Sequence, residues 1–344
     1  MLYSTRHFTI SVSLGEQKIP QSGIHEERPI PELKLKTVFR TQANDQAVKD
    51  GSVRPETFEF QFEEVSPIIN AFRRMVRGLE FDVCEMAFST YLCARAYGKR
   101  FTALPIFLVR AFHHGAIFCD TKSGIQNPKD LEGKKVGVNR GYTVTTGVWA
   151  RSILQHQYGV DLNKITWVTS GDDHVEEFRP PSNVVPMPKG TTLTDMLVSG
   201  ELAAAIGIEA DHPGVKPLIP NAAQAGLEAL RVHGHYPINH TLVVRDDLLN
   251  EHPRLAADIF NVFATAKNMY VERLRNGEIE KPTEIDKLHL RVMEITGRDP
   301  LPYGIASNRQ ALEELVLSAT EQKIIPRPCA MEELFAHGTH ELSA

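Results

Sequence analysis

The sequence predicts an α/β fold of two lobes, with a ligand cleft between them and a helical C-terminal tail. Three observations carry this. From Leu33 to Tyr97, short apolar runs alternate with helical patterns, the order of a parallel sheet with crossover helices. A second block of the same kind begins after the turn-rich stretch Ser123–Gly133. From Pro253 onward only helical patterns remain. We assign residues 33–120 and 238–344 to the first lobe, 121–237 to the second, and 1–32, with Pro20, Pro29 and Pro31, to an irregular arm.

The first lobe opens with a strand over Leu33–Arg40 and a helix over Asn44–Lys49. Phe58, Phe60 and Phe62 alternate with Glu59 and Gln61, a strand period of two. Ser66-Pro67 starts a helix with proline at its first position, and Ile68, Ile69, Phe72, Met75 and Val76 share one stripe. Strands follow at Phe81–Met86 and Leu104–Val109, with a helix over Ser89–Tyr97 between them, and Ala116–Cys119 is a short strand. The crossing between lobes is expected in Ser123–Gly133.

In the second lobe, strands are expected at Lys135–Asn139, Ile165–Thr169 and Leu202–Ile208. Helices are expected at Thr143–Tyr158, Thr191–Ser199 with Gly200 as its stop, and Asn221–Leu230. Tyr236–Arg245 is the strand that returns to the first lobe. The tail holds helices over Pro253–Asn276, Glu284–Thr296, Arg309–Gln322 and Met331–Ala336.

The 344 residues are 42% hydrophobic, enough for a bilobal core. A net charge of −5 with mixed signs leaves no basic stripe for nucleic acid. Met1–Pro20 carries Arg6, His7, Glu16 and Lys18 and is not read as a secretory signal, and no apolar run is long enough to span a membrane, so a cytoplasmic location is expected. Cys84, Cys93, Cys119 and Cys329 show no metal-type spacing and read as free thiols, mostly buried.

Candidate chemistry concentrates in Phe81–Phe118. The apolar strand at Leu104–Val109 ends in Arg110, Phe112, His113, His114 and Gly115, and strand ends are where α/β sheets hold ligands. Arg110 offers a fork for a carboxylate, and His114 a proton donor near neutrality. His113 is the weaker candidate, because neighbours in extended chain point to opposite faces. Glu85 ends an apolar strand, where a carboxylate needs a partner. Arg140, Tyr142, Thr143 and Thr145 follow a strand and open a helix, a place that favours an anion. Asp172, Asp173 and His174 follow another strand end, His240 lies near the second crossing, and Tyr303 and Arg309 flank a Pro/Gly loop.

In order along the chain stand Phe81-Asp82-Val83-Cys84-Glu85-Met86 with Ser89 and Tyr91, Arg110 through Phe118, Asp130-Leu131-Glu132-Gly133-Lys134-Lys135, Trp167 through Gly171, Pro237-Ile238-Asn239-His240-Thr241, Asp299 through Ile305, and Asn308-Arg309. Together these words resemble the 4,5-dihydroxyphthalate decarboxylase family, within the type II periplasmic-binding-protein-like superfamily. The sequence departs from the family pattern at His113 and Leu301 and in its longer arm. No two cysteines stand closer than the nine positions from Cys84 to Cys93, which disfavours the related thiamine-pyrimidine synthases.

The resemblance implies decarboxylation of a hydroxylated aromatic dicarboxylate, 4,5-dihydroxyphthalate first, by protonation of the ring carbon and loss of CO2. It implies His114, Glu85 and His240 as catalytic residues. The substrate set would be Arg110, His113, Ser89, Arg140, Tyr142, Thr143, Thr145, Asp173, His174, Tyr303 and Arg309. No organic cofactor is expected; a divalent ion on Glu85, His114, His174 and His240 is the less favoured alternative. The expected partner is a small aromatic acid, with a homo-oligomer left open. The rival readings are a binding protein that captures a small anion for a transporter, and another small-molecule enzyme on the same scaffold.

Overall fold

The computed structural model describes residues 32–209 and 211–344; the arm expected at 1–32 lies, except for Glu32, outside the described residues. Strand β1 (Lys34–Val38) alternates exposed Lys34 with buried Leu35, as its period predicts. A short helix α1 (Gln46–Lys49), strand β2 (Glu59–Phe62) and helix α2 (Ile69–Gly78) follow. Helix α2 starts two residues after Pro67 and buries Ala71, Phe72, Met75 and Val76, most of the stripe read from sequence. Strand β3 (Val83–Ala87) is buried throughout and passes directly into α3 (Phe88–Ala96). Strand β4 (Phe101–Arg110) follows.

The second sheet is built from β5 (Ile117–Asp120), β6 (Lys135–Val138), β7 (Thr166–Thr169), β8 (Val184–Pro186), β9 (Ala204–Ile206) and β10 (Val215–Pro217). Its helices are α4 (Thr145–Tyr158), α5 (Leu193–Val198) and α6 (Ala222–His233). The chain returns through β11 (Ile238–Arg245) and ends in α7 (Asp246–Glu251), α8 (Leu255–Arg275), α9 (Glu284–Thr296), α10 (Arg309–Glu321) and α11 (Met331–Leu334). A capping box between Thr283 and Asp286 starts α9 where the sequence places it.

The two sheets run β2-β1-β3-β11-β4 and β10-β5-β9-β6-β7-β8. Two corrections follow. The first sheet is mixed rather than parallel, because β11 enters antiparallel between β3 and β4. The first crossing lies at 111–116, ahead of the expected turn-rich stretch, because β5 pairs with β9 and β10 of the second sheet. Three short elements, β8, β10 and α7, have too few residues to show a period.

One core cluster joins the sheets, running from Phe88 and Phe107 to Trp149 and Trp167. Helix α4 lies inside it, with Val148 through Leu154 buried on every side. Trp149 Nε1 donates to Ile238 O at 2.9 Å, which ties α4 to the returning strand. Trp149→Ala should cost about 3–5 kcal/mol. Because the core is shared, urea unfolding followed by far- and near-ultraviolet circular dichroism should keep a single coincident transition at a lower midpoint.

Candidate active site

A cavity of about 660 Å³ opens where strand ends of the first sheet meet the start of α4. Arg40 and Thr41 follow β1, Ala87 ends β3, and Asn239 and His240 open β11. Phe72 comes from α2, Arg140, Thr145 and Thr146 come from the β6–α4 connection, and His174 follows β7.

The register of β11 on β3 sets Leu242 opposite Glu85 and His240 opposite Ala87. Glu85 and His240 are therefore diagonal neighbours on one sheet face. Ladder irregularities beside His240 re-aim the strand there. Glu85 is fully buried and accepts from His240 Nδ1 at 2.5 Å and from the Arg40 backbone N–H at 2.7 Å. Donating Nδ1–H to the carboxylate leaves Nε2 as the nitrogen turned to the cavity. The Phe72 ring stands edge-on to His240 at 5.2 Å and holds its plane.

Two cations line the cavity without an ion pair among the described residues, Arg40 from the first sheet and Arg140 from the second. Arg140 sits at φ +70°, an uncommon conformation for a side-chain-bearing residue. Its backbone is pinned there: its N–H donates to Ser170 Oγ at 2.7 Å and its carbonyl accepts from Gly171 N–H. A Cβ on Gly141 would stand 2.5 Å from Asp173 Oδ1, so only glycine permits this turn. Helix α4 then begins at Thr145 without a side-chain cap, and Val144, Thr145 and Thr146 at its start, the positive end of the helix dipole, line the cavity.

His174 is buried between Phe72 and Thr90. Burial, with Arg73, Arg77 and Arg140 nearby, pushes its pKa down to about 4, so it is a neutral hydrogen-bond partner near pH 7.

The other sequence candidates lie elsewhere. Since 111–116 is the crossing itself, His113 and His114 are not on an extended strand end: His113 precedes a 3₁₀ turn and His114 begins it. His114 is fully buried outside the cavity, with Nε2 2.8 Å from Gln157 Oε1, and burial lowers its pKa. His113 stands behind the lining, with Nε2 3.0 Å from Asn239 Oδ1 and a pKa pushed by burial to about 4. Arg110 also lies outside the cavity; it donates to Tyr236 O and to Asn308 Oδ1. Tyr303 is buried against Asn44 and Phe260, and Arg309 pairs with Glu332 and Glu313 on the surface.

Tyr142 stacks on Arg151 rather than lining the site. Asp173 accepts from the Thr143 N–H. Ser89 Oγ lies 2.6 Å from Thr143 O and 2.7 Å from Thr145 Oγ1, a stitch between the sheets. Of the residues named from sequence, Arg140, Thr145, His174 and His240 line the cavity, with Glu85 directly behind. Sequence reasoning missed Arg40, Thr90 and Asn239. Arg40 had a usable signal, since it ends the strand read from sequence at Leu33–Arg40 as Arg110 ends β4. Among the described residues, no group of three or more His, Cys, Asp or Glu is placed to hold a metal, and His114 Nε2 meets Gln157 rather than Glu85 or His240. No described helix is long and apolar enough to cross a membrane.

His113, His174 and His289 each have a native pKa of about 4 against an ordinary 6.5. The unfolded chain takes up protons below 6.5 that these native imidazoles refuse. Stability is therefore complete above that pH and falls toward pH 4, by up to about 1.4 kcal/mol per pH unit for each histidine. Thermal melts at falling pH should show a declining midpoint across this window, and a flat profile would contradict the buried placement.

No family model matches the chain. The 4,5-dihydroxyphthalate decarboxylase of Comamonas testosteroni is 29% identical over 299 residues, covering 80% of this chain and 90% of that protein. That of Pseudomonas putida is 34% identical over 180 residues, covering 46% of this chain and 69% of that protein. Among solved structures, the desulfurization enzyme DszB superposes with a TM-score of 0.52 at 13% identity, over 90% of this chain and 97% of its own, a likeness of fold alone. The periplasmic sulfonate-binding protein SsuA of Methylobacillus flagellatus gives 0.48 at 12% identity, over 89% of this chain and 92% of its own. By this similarity to the two decarboxylases, the chain belongs to the 4,5-dihydroxyphthalate decarboxylase family.

Proposed function

We propose that the protein decarboxylates 4,5-dihydroxyphthalate to 3,4-dihydroxybenzoate and CO2. The observation that carries this reading is a carboxylate-oriented histidine, His240 on Glu85, in a cavity that also presents Arg40 and Arg140, neither with an ion pair among the described residues. An aromatic diacid needs a cation for the carboxylate that stays and a proton for the carbon that loses the other.

Direct loss of CO2 would leave an electron pair in the ring plane, where no π-system can hold it. Protonation of the ring carbon first avoids this. His240 Nε2 gives a proton to the carbon that bears the departing carboxylate. The hydroxyl para to that carbon supplies electron density, with neutral His174 accepting its O–H as a hydrogen bond. The carbon–carbon bond then breaks, its electron pair restores aromaticity, and CO2 leaves. His240 recovers its proton from water, so each turnover consumes one proton. Arg40, Arg140 and the start of α4 hold the spectator carboxylate. Glu85 is a positioning residue: it keeps Nε2 aimed at the ring. Written this way the reaction uses side chains alone. We place it in the cytoplasm, where the buried thiols of Cys84, Cys93 and Cys119 suit a reducing compartment.

The test is incubation of chelator-treated protein with 4,5-dihydroxyphthalate, with CO2 and 3,4-dihydroxybenzoate measured together. Equal amounts are expected, and in D2O the vacated ring carbon should carry one deuterium. Tight binding with no CO2 would favour a binding protein. Turnover only after a divalent ion is added would make Glu85 and His240 ligands. His240→Gln should lower kcat by about 10²-fold or more, the usual worth of a general acid, while substrate still binds. Arg140→Ala should act mainly on KM, and steady-state kinetics that show an unchanged KM would remove it from the carboxylate site.

A further inference from the structure

A second cavity, of about 680 Å³, lies among α6, α9 and the segment that leads into α10. It shares no lining residue with the first. Arg110 is at its floor, only 5% exposed. This guanidinium donates to Tyr236 O at 2.8 Å and to Asn308 Oδ1, and lies over the Tyr236 ring at 4.8 Å. Among the described residues its Nε has no partner and no carboxylate pairs with it. The Tyr236 hydroxyl beside it is also buried and has no partner among the described residues. A buried cation without a counter-charge is costly, as is an orphaned donor.

The other charges around the cavity do not fill this need. Asp299 is held by buried Lys267, and Arg231 is paired with Glu228. Arg298, exposed at the rim, has no ion pair among the described residues and adds a second free cation. Between these groups the lining is part apolar, from Leu230, Val292 and Ile295, and part polar, from Thr296, Ser307 and Gln310. We propose that this cavity binds a small organic carboxylate with an aromatic or apolar body, its charge on Arg110 and the Tyr236 hydroxyl and its body against the apolar wall. Arg298 attracts the anion at the entrance. The site goes beyond the decarboxylase reading and stands apart from it, because its residues take no part in the reaction proposed above.

Benzoate is the probe. Isothermal titration of the full chain is compared with the double variant Arg40→Ala/Arg140→Ala, which removes the cations of the first cavity. Saturable benzoate binding should persist in the double variant. Adding Arg298→Glu to it should weaken that binding by about ten-fold or more, which is about 1.4 kcal/mol. Arg298 is exposed, so this change leaves the fold intact, and alone it should leave decarboxylation unchanged. Benzyl alcohol, with the same body and no charge, should bind at least about ten-fold more weakly. Arg110→Met should abolish the second-site binding while the circular dichroism spectrum is retained. No saturable binding in the double variant, or binding indifferent to Arg298→Glu, overturns the proposal. Neither result touches the turnover assay, so the two readings fail separately.

Discussion

The buried carboxylate of Glu85 is the constraint on which the site depends. It stands on β3, a strand buried along its whole length, where an unpaired charge would be costly. Two donors meet it: the Arg40 N–H just past β1, and Nδ1 of His240 on β11. Both require β3 to lie between β1 and β11, so strand order and the site are one arrangement. Because β11 must enter antiparallel there, the chain leaves the first sheet, builds the second and comes back.

The return brings α4 with it. Trp149 bonds to the β11 backbone, and Thr143 and Thr145 meet Ser89 at the start of α3. These contacts hold Arg140 and the start of α4 across from Arg40 and His240. Charge is distributed unevenly as a result. Arg74 is paired with Glu63 and Glu80 on the surface, whereas the two arginines that line the cavity have no ion pair among the described residues. His174 is kept neutral by burial and nearby cations, and His240 is held by a carboxylate. Two imidazoles in one cavity thus have environments suited to different tasks.

Arg110 shows why part of the site was illegible. An arginine at the end of an apolar strand is a reasonable anion ligand, and the same description fits Arg40. Sequence cannot rank them, because what a strand end faces depends on which strands lie beside it. Strand β1 sits beside β3 and opens on the first cavity; β4 is at the far edge of the sheet, and its end is turned toward Tyr236 and Asn308. The pair His113-His114 fails for a related reason. It lies in the passage between sheets, where the chain coils into a 3₁₀ turn and buries both rings.

By itself the sequence determined the longer elements, the two-block order and the helical tail. These follow from periodicity and end signals within a few residues of each other, such as Thr283 with Asp286 on α9 or Gly200 after α5. It also marked Glu85 as a carboxylate in need of a partner. The tertiary structure alone decided which partner. Glu85 and His240 are 155 positions apart, and the offset of β11 on β3 brings them to one face. A slip of one residue would turn His240 to the other side of the sheet, and local patterning cannot set that register between strands so distant in the chain.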